Sequence, residues 1–336
     1  MEEEKNKQSS STLNQENVDL KEKAMLPKKI QQRISSTRIL LINLNSCITE
    51  IAKILINKGF NIYLYDKEKV SQKDINNNFF LEKNDLGKSR LKAIYEKLVT
   101  LSATVSITMV NDFNNLRDLK ITIAGFTDYN SLCTYEEFFT RKNIFFYSIN
   151  NSGILGFYYN NLFINSRHGD KFADIDNMLF LKKSDKLLND MKVNKTKPDK
   201  FHLSIFLLEL YYRKNVDVKD IPKVMKEEYM NDYKFHKKMS FFEQYFRKIE
   251  CEYIFRDKEI MSLLRRYIVN FNKEFNPICS MLSEIVCNEI YDYVIGKSLP
   301  RVGLITYDSE NEIFDYNNLL EFKKSSNKIQ FPLLII

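Results

Sequence analysis

Asp66 closes a short apolar segment, Asn61-Ile-Tyr-Leu-Tyr65, and follows the loop Asn43-Leu44-Asn45-Ser46-Cys47-Ile48 at about the 20-residue spacing that dinucleotide-type folds use. In such folds that acid hydrogen-bonds a ribose, and glycines in the loop let bare backbone approach a pyrophosphate at a helix start. No glycine stands between Asn43 and Ile48. Side chains at Asn45, Cys47 and Ile48 would fill the space a phosphate needs. The spacing therefore points to a nucleotide-type unit that does not bind its own nucleotide. The alternative is an ordinary βαβ unit that never held a ligand.

The remaining chemistry-bearing residues give no second site. The segment Gly87-Lys-Ser-Arg90 lacks the second glycine and the preceding strand of a phosphate loop, and reads as a helix start. The cysteines Cys47, Cys133, Cys251, Cys279 and Cys287 are odd in number and form no Cys-x-x-Cys pair. They suggest neither a disulfide framework nor a zinc ribbon. Cys279 begins an apolar helix face, where a thiol is inert. Cys251 lies between Glu250 and Glu252, whose charges disfavour a thiolate. His168, His202 and His236 have no Cys or Asp partner at ligand spacing.

The elements that would position these residues alternate. Pro27 suits the first turn of a helix running to about Ser35. Arg38–Ile42 is a continuous apolar run suited to a buried parallel strand. From Thr49 to Asn57, apolar residues at Ile51, Ala52, Ile54 and Leu55 carry helical spacing, and Gly59 closes that helix. Asn61–Tyr65 is a second strand. The segment Gly87–Leu101 is amphipathic through Leu91, Ile94, Tyr95 and Leu98. Strands are expected over Val105–Val110, Ile121–Ala124 and Ile144–Ile149, with Gly153 and Gly156 turning the chain into antiparallel strands from Phe157. After Pro277 a long apolar helix runs to Ile295, stopped by Gly296 and Pro300, and Val302–Tyr307 is a further strand. The fold class is α/β, a Rossmann-like, mainly parallel sheet with a degenerate nucleotide loop. Residues 1–26 are polar and expected to be a disordered tail. Residues 27–168 form the first part of the α/β domain, 169–272 a helical insertion rich in Lys, Tyr and Phe, and 273–336 its closing helix and strands.

A length of 336 residues with 44% hydrophobic residues is enough for a substantial core. The acidic start lacks the apolar core of a signal peptide and no apolar run approaches 18 residues, so a membrane span is not expected. The formal charge of +7 is dispersed among acidic residues rather than gathered in a stripe, which argues against nucleic acid.

The order and spacing of Gln31-Gln-Arg-Ile-Ser-Ser-Thr-Arg-Ile-Leu-Leu-Ile42, Glu50-Ile-Ala-Lys53, Asp66, Val70, Asp74, Phe79 and Gly87-Lys-Ser-Arg90 resemble the adenylation-type half of ubiquitin-like modifier activating enzymes, the ThiF family. Phe145-Phe146 with Gly153 and Gly156, and Pro277-Ile-Cys279 with Glu289-Ile290, Pro300 and Asp308, extend the resemblance over about residues 31 to 166 and 274 to 310. Within the family the chain is most similar to the smaller, non-catalytic subunit of heterodimeric SUMO-activating enzymes. Its length is close to that subunit's, and its catalytic equipment is similarly missing.

The resemblance implies that a catalytic partner binds ATP and magnesium, adenylates SUMO and takes it onto its own cysteine as a thioester, while this chain binds no cofactor. It implies a location in nucleus and cytoplasm. Where active halves carry an Arg two residues before the conserved Phe, this chain has Asn77, which cannot supply that charge. Where they place a magnesium-binding Asp, it has Gly125-Phe126-Thr127. Asp128 is the nearest acid and reads as a helix cap. In the family an N-terminal Arg reaches the partner's ATP. Counting back from Gln31 puts Lys21 there, a possible trans contact to that ATP, with Lys23 nearby, although the surrounding motif is absent. A solvated charged tail is the alternative. Phe79, Phe80, Arg90, Pro277, Met281 and Ile285 are candidates for the interface with the partner, each with internal core as its alternative.

Two further readings stay open. One is the regulatory subunit of the Nedd/Rub-activating enzyme, similarly inactive but much longer. The other is a self-contained nucleotide-binding enzyme of the same fold with an unorthodox loop.

Overall fold

The computed structural model describes residues 26–125, 129–161, 258, 273–301, 303–309 and 313–318. Helix α1 (Lys28–Ser36) leads into β1 (Arg38–Ile42), α2 (Ser46–Lys58) and β2 (Asn61–Tyr65). Then follow α3 (Gln72–Asn77), a 3₁₀ turn (Lys83–Asp85), α4 (Arg90–Leu98), β3 (Ile107–Met109), β4 (Leu119–Gly125), α5 (Tyr129–Arg141), β5 (Phe145–Ser152) and β6 (Leu155–Asn161). After the interval to 272 come α6 (Asn276–Ile295), β7 (Gly303–Asp308) and β8 (Ile313–Asn318).

The strands form one sheet in the order β3-β2-β1-β4-β5-β6-β7-β8. The pairs from β3 to β5 are parallel and those from β5 to β8 antiparallel. The reversal falls at the turn after Ser152, where Gly153 adopts φ 61. A non-glycine residue resists that backbone conformation. The chain is thus an α/β, Rossmann-like fold with a mixed sheet.

Two hydrophobic layers cover the sheet because the strand period is two. Along β1, Ile39 and Leu41 face the layer built by α2, α4 and α6. Leu40 and Ile42 face α5 and Phe113 on the other side. A parallel strand buried on both faces must be apolar at every position, which is why Ile39–Ile42 reads as a continuous run. Helix α6 lies along α2 and β6, burying Ile278, Leu282, Val286, Ile290 and Val294. It ends at Gly296 with φ 80.

Gly156 lets α6 come close to the sheet. A methyl group there would come within 2.5 Å of Leu282 Cδ1 and 2.8 Å of Ile278 Cγ2, both buried side chains. Gly156→Ala is expected to destabilise the fold by about 1–3 kcal/mol through overpacking. Chemical denaturation would check this, and an unchanged midpoint would mean that α6 has room to shift.

Several boundaries differ from the sequence expectation. Helix α2 begins at Ser46 rather than Thr49, because Asn45 caps it. Strand β3 is confined to Ile107–Met109. Helix α4 begins at Arg90 with Ser89 Oγ accepting from Lys92 N–H, so Gly87 lies outside it, in a turn with φ 80. Strand β8 was not anticipated. The expected tail 1–26, apart from Leu26, and the insertion 169–272, apart from Lys258, lie outside the described residues.

Candidate functional site

The loop between β1 and α2 turns without glycine because Asn43 takes the left-handed conformation, φ 59, which Asn tolerates better than most side chains. Its backbone N–H donates to the Tyr65 carbonyl at 3.0 Å. Its Nδ2 donates to the Gly125 carbonyl at 3.3 Å, and its Oδ1 accepts from Arg90 Nη2. The side chain that would obstruct a ligand is thereby used to fix the turn.

Asp66 stands at the end of β2, 8% exposed, with both oxygens engaged. Oδ2 accepts from Leu44 N–H at 2.7 Å and from Arg90 Nε at 2.8 Å. Oδ1 accepts from Glu68 N–H at 2.7 Å. Arg90 also donates through Nη1 to Asp74 Oδ1 at 2.9 Å. The guanidinium bridges two carboxylates and the loop amide of Asn43. Burial opposes the charge on Arg90, but Asp66 and Asp74 more than offset this and hold its pKa above the usual value. Burial likewise works to raise the Asp74 pKa, yet Ser71 and Arg90 outweigh it and leave it below the usual value.

At the start of α2 the amides of Ser46 and Ile48, which a helix start leaves without partners in the preceding turn, find acceptors within the chain. Asn45 Oδ1 accepts from Ile48 N–H at 3.1 Å. Ser46 N–H donates to Glu274 Oε2 at 3.1 Å, across 228 residues of sequence. Thr49 Oγ1 donates to the Asn45 carbonyl at 2.8 Å and accepts from Asn78 Nδ2 at 2.9 Å.

The loop also packs against the end of β4. A Cβ at Gly125 would lie 2.7 Å from the Asn43 carbonyl oxygen, 2.9 Å from Asn45 Nδ2 and 2.9 Å from Ile48 Cγ1. The glycine missing from the loop is found on the strand facing it, where it admits the loop itself. No side chain fits at Gly125 without displacing that loop. The loop is thereby packed directly against the end of β4. Among the described residues, no group of three or more His, Cys, Asp or Glu could hold a metal ion, and no helix is long and apolar enough to cross a membrane.

The thiols of Cys47, Cys279 and Cys287 are buried. Cys279 Sγ lies 3.6 Å from Asn151 Oδ1. The pKa of Cys47 is pushed well up by its hydrogen bond with Cys279 and by burial, and that of Cys287 is pushed up by burial. Neither is a poised nucleophile.

The interface candidates separate. Phe79 is 83% exposed, and its ring meets Phe80 edge-on at 6.0 Å. Pro277 is exposed. Phe80, Met281 and Ile285 are partly buried against the core. Arg90 is 7% exposed, with two carboxylates and Asn43 converging on it, which is the internal alternative to its place at an interface. Asn77 ends α3 and is half-buried. Lys21, Lys23, Asp128, Cys251, His168, His202 and His236 lie outside the described residues, as does the side chain of Cys133.

Sequence reasoning missed the roles of Asn43, Gly125 and Glu274. A lone Asn at a strand-to-helix turn is a usable signal for a left-handed position. The other two act through contacts made across the fold.

No family model matches the chain. The DNA damage tolerance protein rad31 of Schizosaccharomyces pombe is 23% identical over 320 residues, covering 88% of this chain and 96% of that protein. The NEDD8-activating enzyme E1 regulatory subunit of Caenorhabditis elegans is 43% identical over 77 residues, 23% of this chain but only 14% of that protein. The ubiquitin-activating enzyme E1 1 of Candida albicans is 28% identical over 155 residues, 45% of this chain and 15% of that enzyme. Among solved structures, the microcin C7 biosynthetic enzyme MccB in complex with N-formylated MccA superposes with a TM-score of 0.50 at 13% identity, covering 86% of this chain and 67% of that one. PaaA gives 0.50 at 11% identity, covering 88% and 77%. The structural likeness extends to the fold. Parts of the chain are thus similar to the NEDD8-activating enzyme E1 regulatory subunit and to ubiquitin-activating enzyme E1.

Proposed function

We propose that this chain is the non-catalytic subunit of a heterodimeric SUMO-activating enzyme. It completes a partner that binds ATP and magnesium, adenylates SUMO and transfers it to the partner's own cysteine as a thioester. The chain itself holds no nucleotide, and it works in nucleus and cytoplasm. The observation that carries this reading is the internal commitment of the loop. Asp66 is held by Arg90 and two backbone amides, and Gly125 leaves no room beside Asn43, Asn45 and Ile48, while the surrounding α/β frame is kept. A frame maintained without its ligand site serves assembly. Exposed Phe79 and Pro277, with the half-buried Phe80, Met281 and Ile285, supply apolar surface of the kind found at the centre of obligate interfaces.

The likeness to rad31 runs over nearly the full length of both proteins, which fits a subunit of this size. The alternative is the regulatory subunit of a NEDD8-activating enzyme, favoured by the higher identity, 43%, over the segment shared with the Caenorhabditis elegans protein. That segment is 14% of a much longer chain, which favours SUMO.

Co-expression with the organism's catalytic SUMO-activating subunit, followed by ATP-dependent thioester formation, tests the proposal. Thioester is expected only with both chains present and with SUMO rather than NEDD8. A catalytic subunit equally active alone would overturn the assignment. A complex charging NEDD8 instead would move it to the alternative. In the same assay Lys21→Ala is expected to slow adenylation several-fold, because Lys21 neutralises a phosphate in the partner's site. An unchanged rate would make the N-terminal segment a solvated tail.

A further inference from the structure

We propose that the carboxylate of Glu274 substitutes for a phosphate at the start of α2, and thereby pins the chain entering α6 to the degenerate loop. A helix of 13 residues presents partial positive charge and unsatisfied N–H groups at its start, where anions are favoured. In this chain the first helical amide, Ser46 N–H, donates to Glu274 Oε2 at 3.1 Å. Glu274 Oε1 faces Lys73 Nζ at 3.7 Å, and the Glu274 side chain is only 12% exposed. A donor amide, a helix start and a cation around a largely buried anion are the elements of a phosphate site, here with the anion supplied by the chain itself.

The residues on either side of Glu274 are fixed as well. The Lys273 carbonyl accepts from Gly153 N–H at 2.5 Å, and Phe275 N–H donates to Asn151 Oδ1 at 2.5 Å. Asn151 Nδ2 in turn donates to the carbonyls of Gly153 and Leu155 at 2.8 and 2.9 Å. Three consecutive residues thus join the β5–β6 turn to the β1–α2 loop. An ordinary ion pair with Lys73 does not account for this. Lys73 is 40% exposed, and pairs of that kind contribute little, whereas the amide contact is shorter. The proposal rests on contacts within this chain and is independent of the partner enzyme.

Thermal unfolding of the full chain tests it. Glu274→Ala is expected to lower Tm by about 1–3 °C, since the shift produced by one contact shrinks as the chain lengthens. Inorganic phosphate is then expected to raise the Tm of the variant more than that of the wild type, at ionic strength matched with chloride. The wild-type control removes the general stabilisation that phosphate gives any fold. Equal shifts in the two proteins would overturn the proposal. The charge-reversed pair K73E/E274K separates a helix-bound anion from a simple salt bridge. It is expected to stay below the wild type, because a lysine ammonium cannot accept from Ser46 N–H, and recovery to the wild-type Tm would overturn the proposal. Should Glu274→Ala not fold, Glu274→Met, which keeps most of the side-chain volume but offers Ser46 N–H no oxygen, carries the test by amide hydrogen exchange. Ser46 is expected to exchange several-fold faster with the β1 amides unchanged, and unaltered Ser46 exchange would count against the assignment.

Discussion

Arg90→Met is expected to cost the fold about 3–5 kcal/mol, the usual penalty for removing one member of a buried charge cluster. The substitution keeps most of the aliphatic volume, so its effect reports the charge. Asp66 and Asp74 would lose the cation between them, at 2.8 and 2.9 Å, and Asn43 would lose the donor that anchors its left-handed turn. Asp66 keeps two backbone donors, which sets the cost within that range rather than above it. Arg90→Lys is expected to recover only part, since an ammonium cannot reach both carboxylates and the Asn43 oxygen as a planar fork does. Urea unfolding at neutral pH measures the loss. A change below about 1 kcal/mol, the value of a surface pair, would mean that water reaches the cluster. Pairing Arg90→Met with Asp74→Asn in a double-mutant cycle then gives the coupling across one arm.

This cluster ties the fold to the proposed role. The acid that closes β2 is where a nucleotide-binding relative of this fold would hold a ribose, and Arg90 gives it an internal partner instead. The same exchange recurs at the start of α2, where Glu274 meets Ser46 N–H, and at the end of β4, where Gly125 admits the loop. Three positions that could each serve a ligand are used to hold the loop against the sheet.

The frame was readable from local pattern. Segment Asn61–Tyr65 forms β2 as expected, because apolar alternation ends at a polar turn, and Gly59 closes α2 in the left-handed conformation, φ 91. The absence of glycine from Asn43 to Ile48 located the degenerate loop. What could not be read is long-range. A charged residue opening an amphipathic helix reads as a surface group, and only the convergence of Asp66, Asp74 and Asn43 turns Arg90 inward. Glu274 lies 228 residues from Ser46, so nothing near either residue signals the contact. Gly125 reads as a missing acid, whereas its role is spatial and depends on how closely the loop approaches β4.

The second large effect is a pH dependence carried by Glu289. Burial against the sheet raises its pKa from the ordinary 4.5 to about 7, despite the hydrogen bond from Tyr158 and the nearby Arg301. Tyr158 Oη donates to Glu289 Oε1 at 2.8 Å. Because the folded value lies above the unfolded one, the protonated acid favours the fold. Its contribution is fully present below about pH 4.5 and is lost as pH rises through about 7. At pH 8.5 the folded chain holds a buried carboxylate, which costs on the order of 3 kcal/mol relative to the protonated acid. Glu289→Gln keeps an oxygen to accept from Tyr158 and cannot ionise. Urea unfolding of both proteins between pH 4 and 8.5 is expected to show the variant gaining on the wild type by about that amount, with most of the gain between about pH 4.5 and 7, where the unfolded side chain has ionised and the folded one has not. Parallel stability profiles would mean that Glu289 is solvated when charged, and that the contact between α6 and β6 opens enough to admit water.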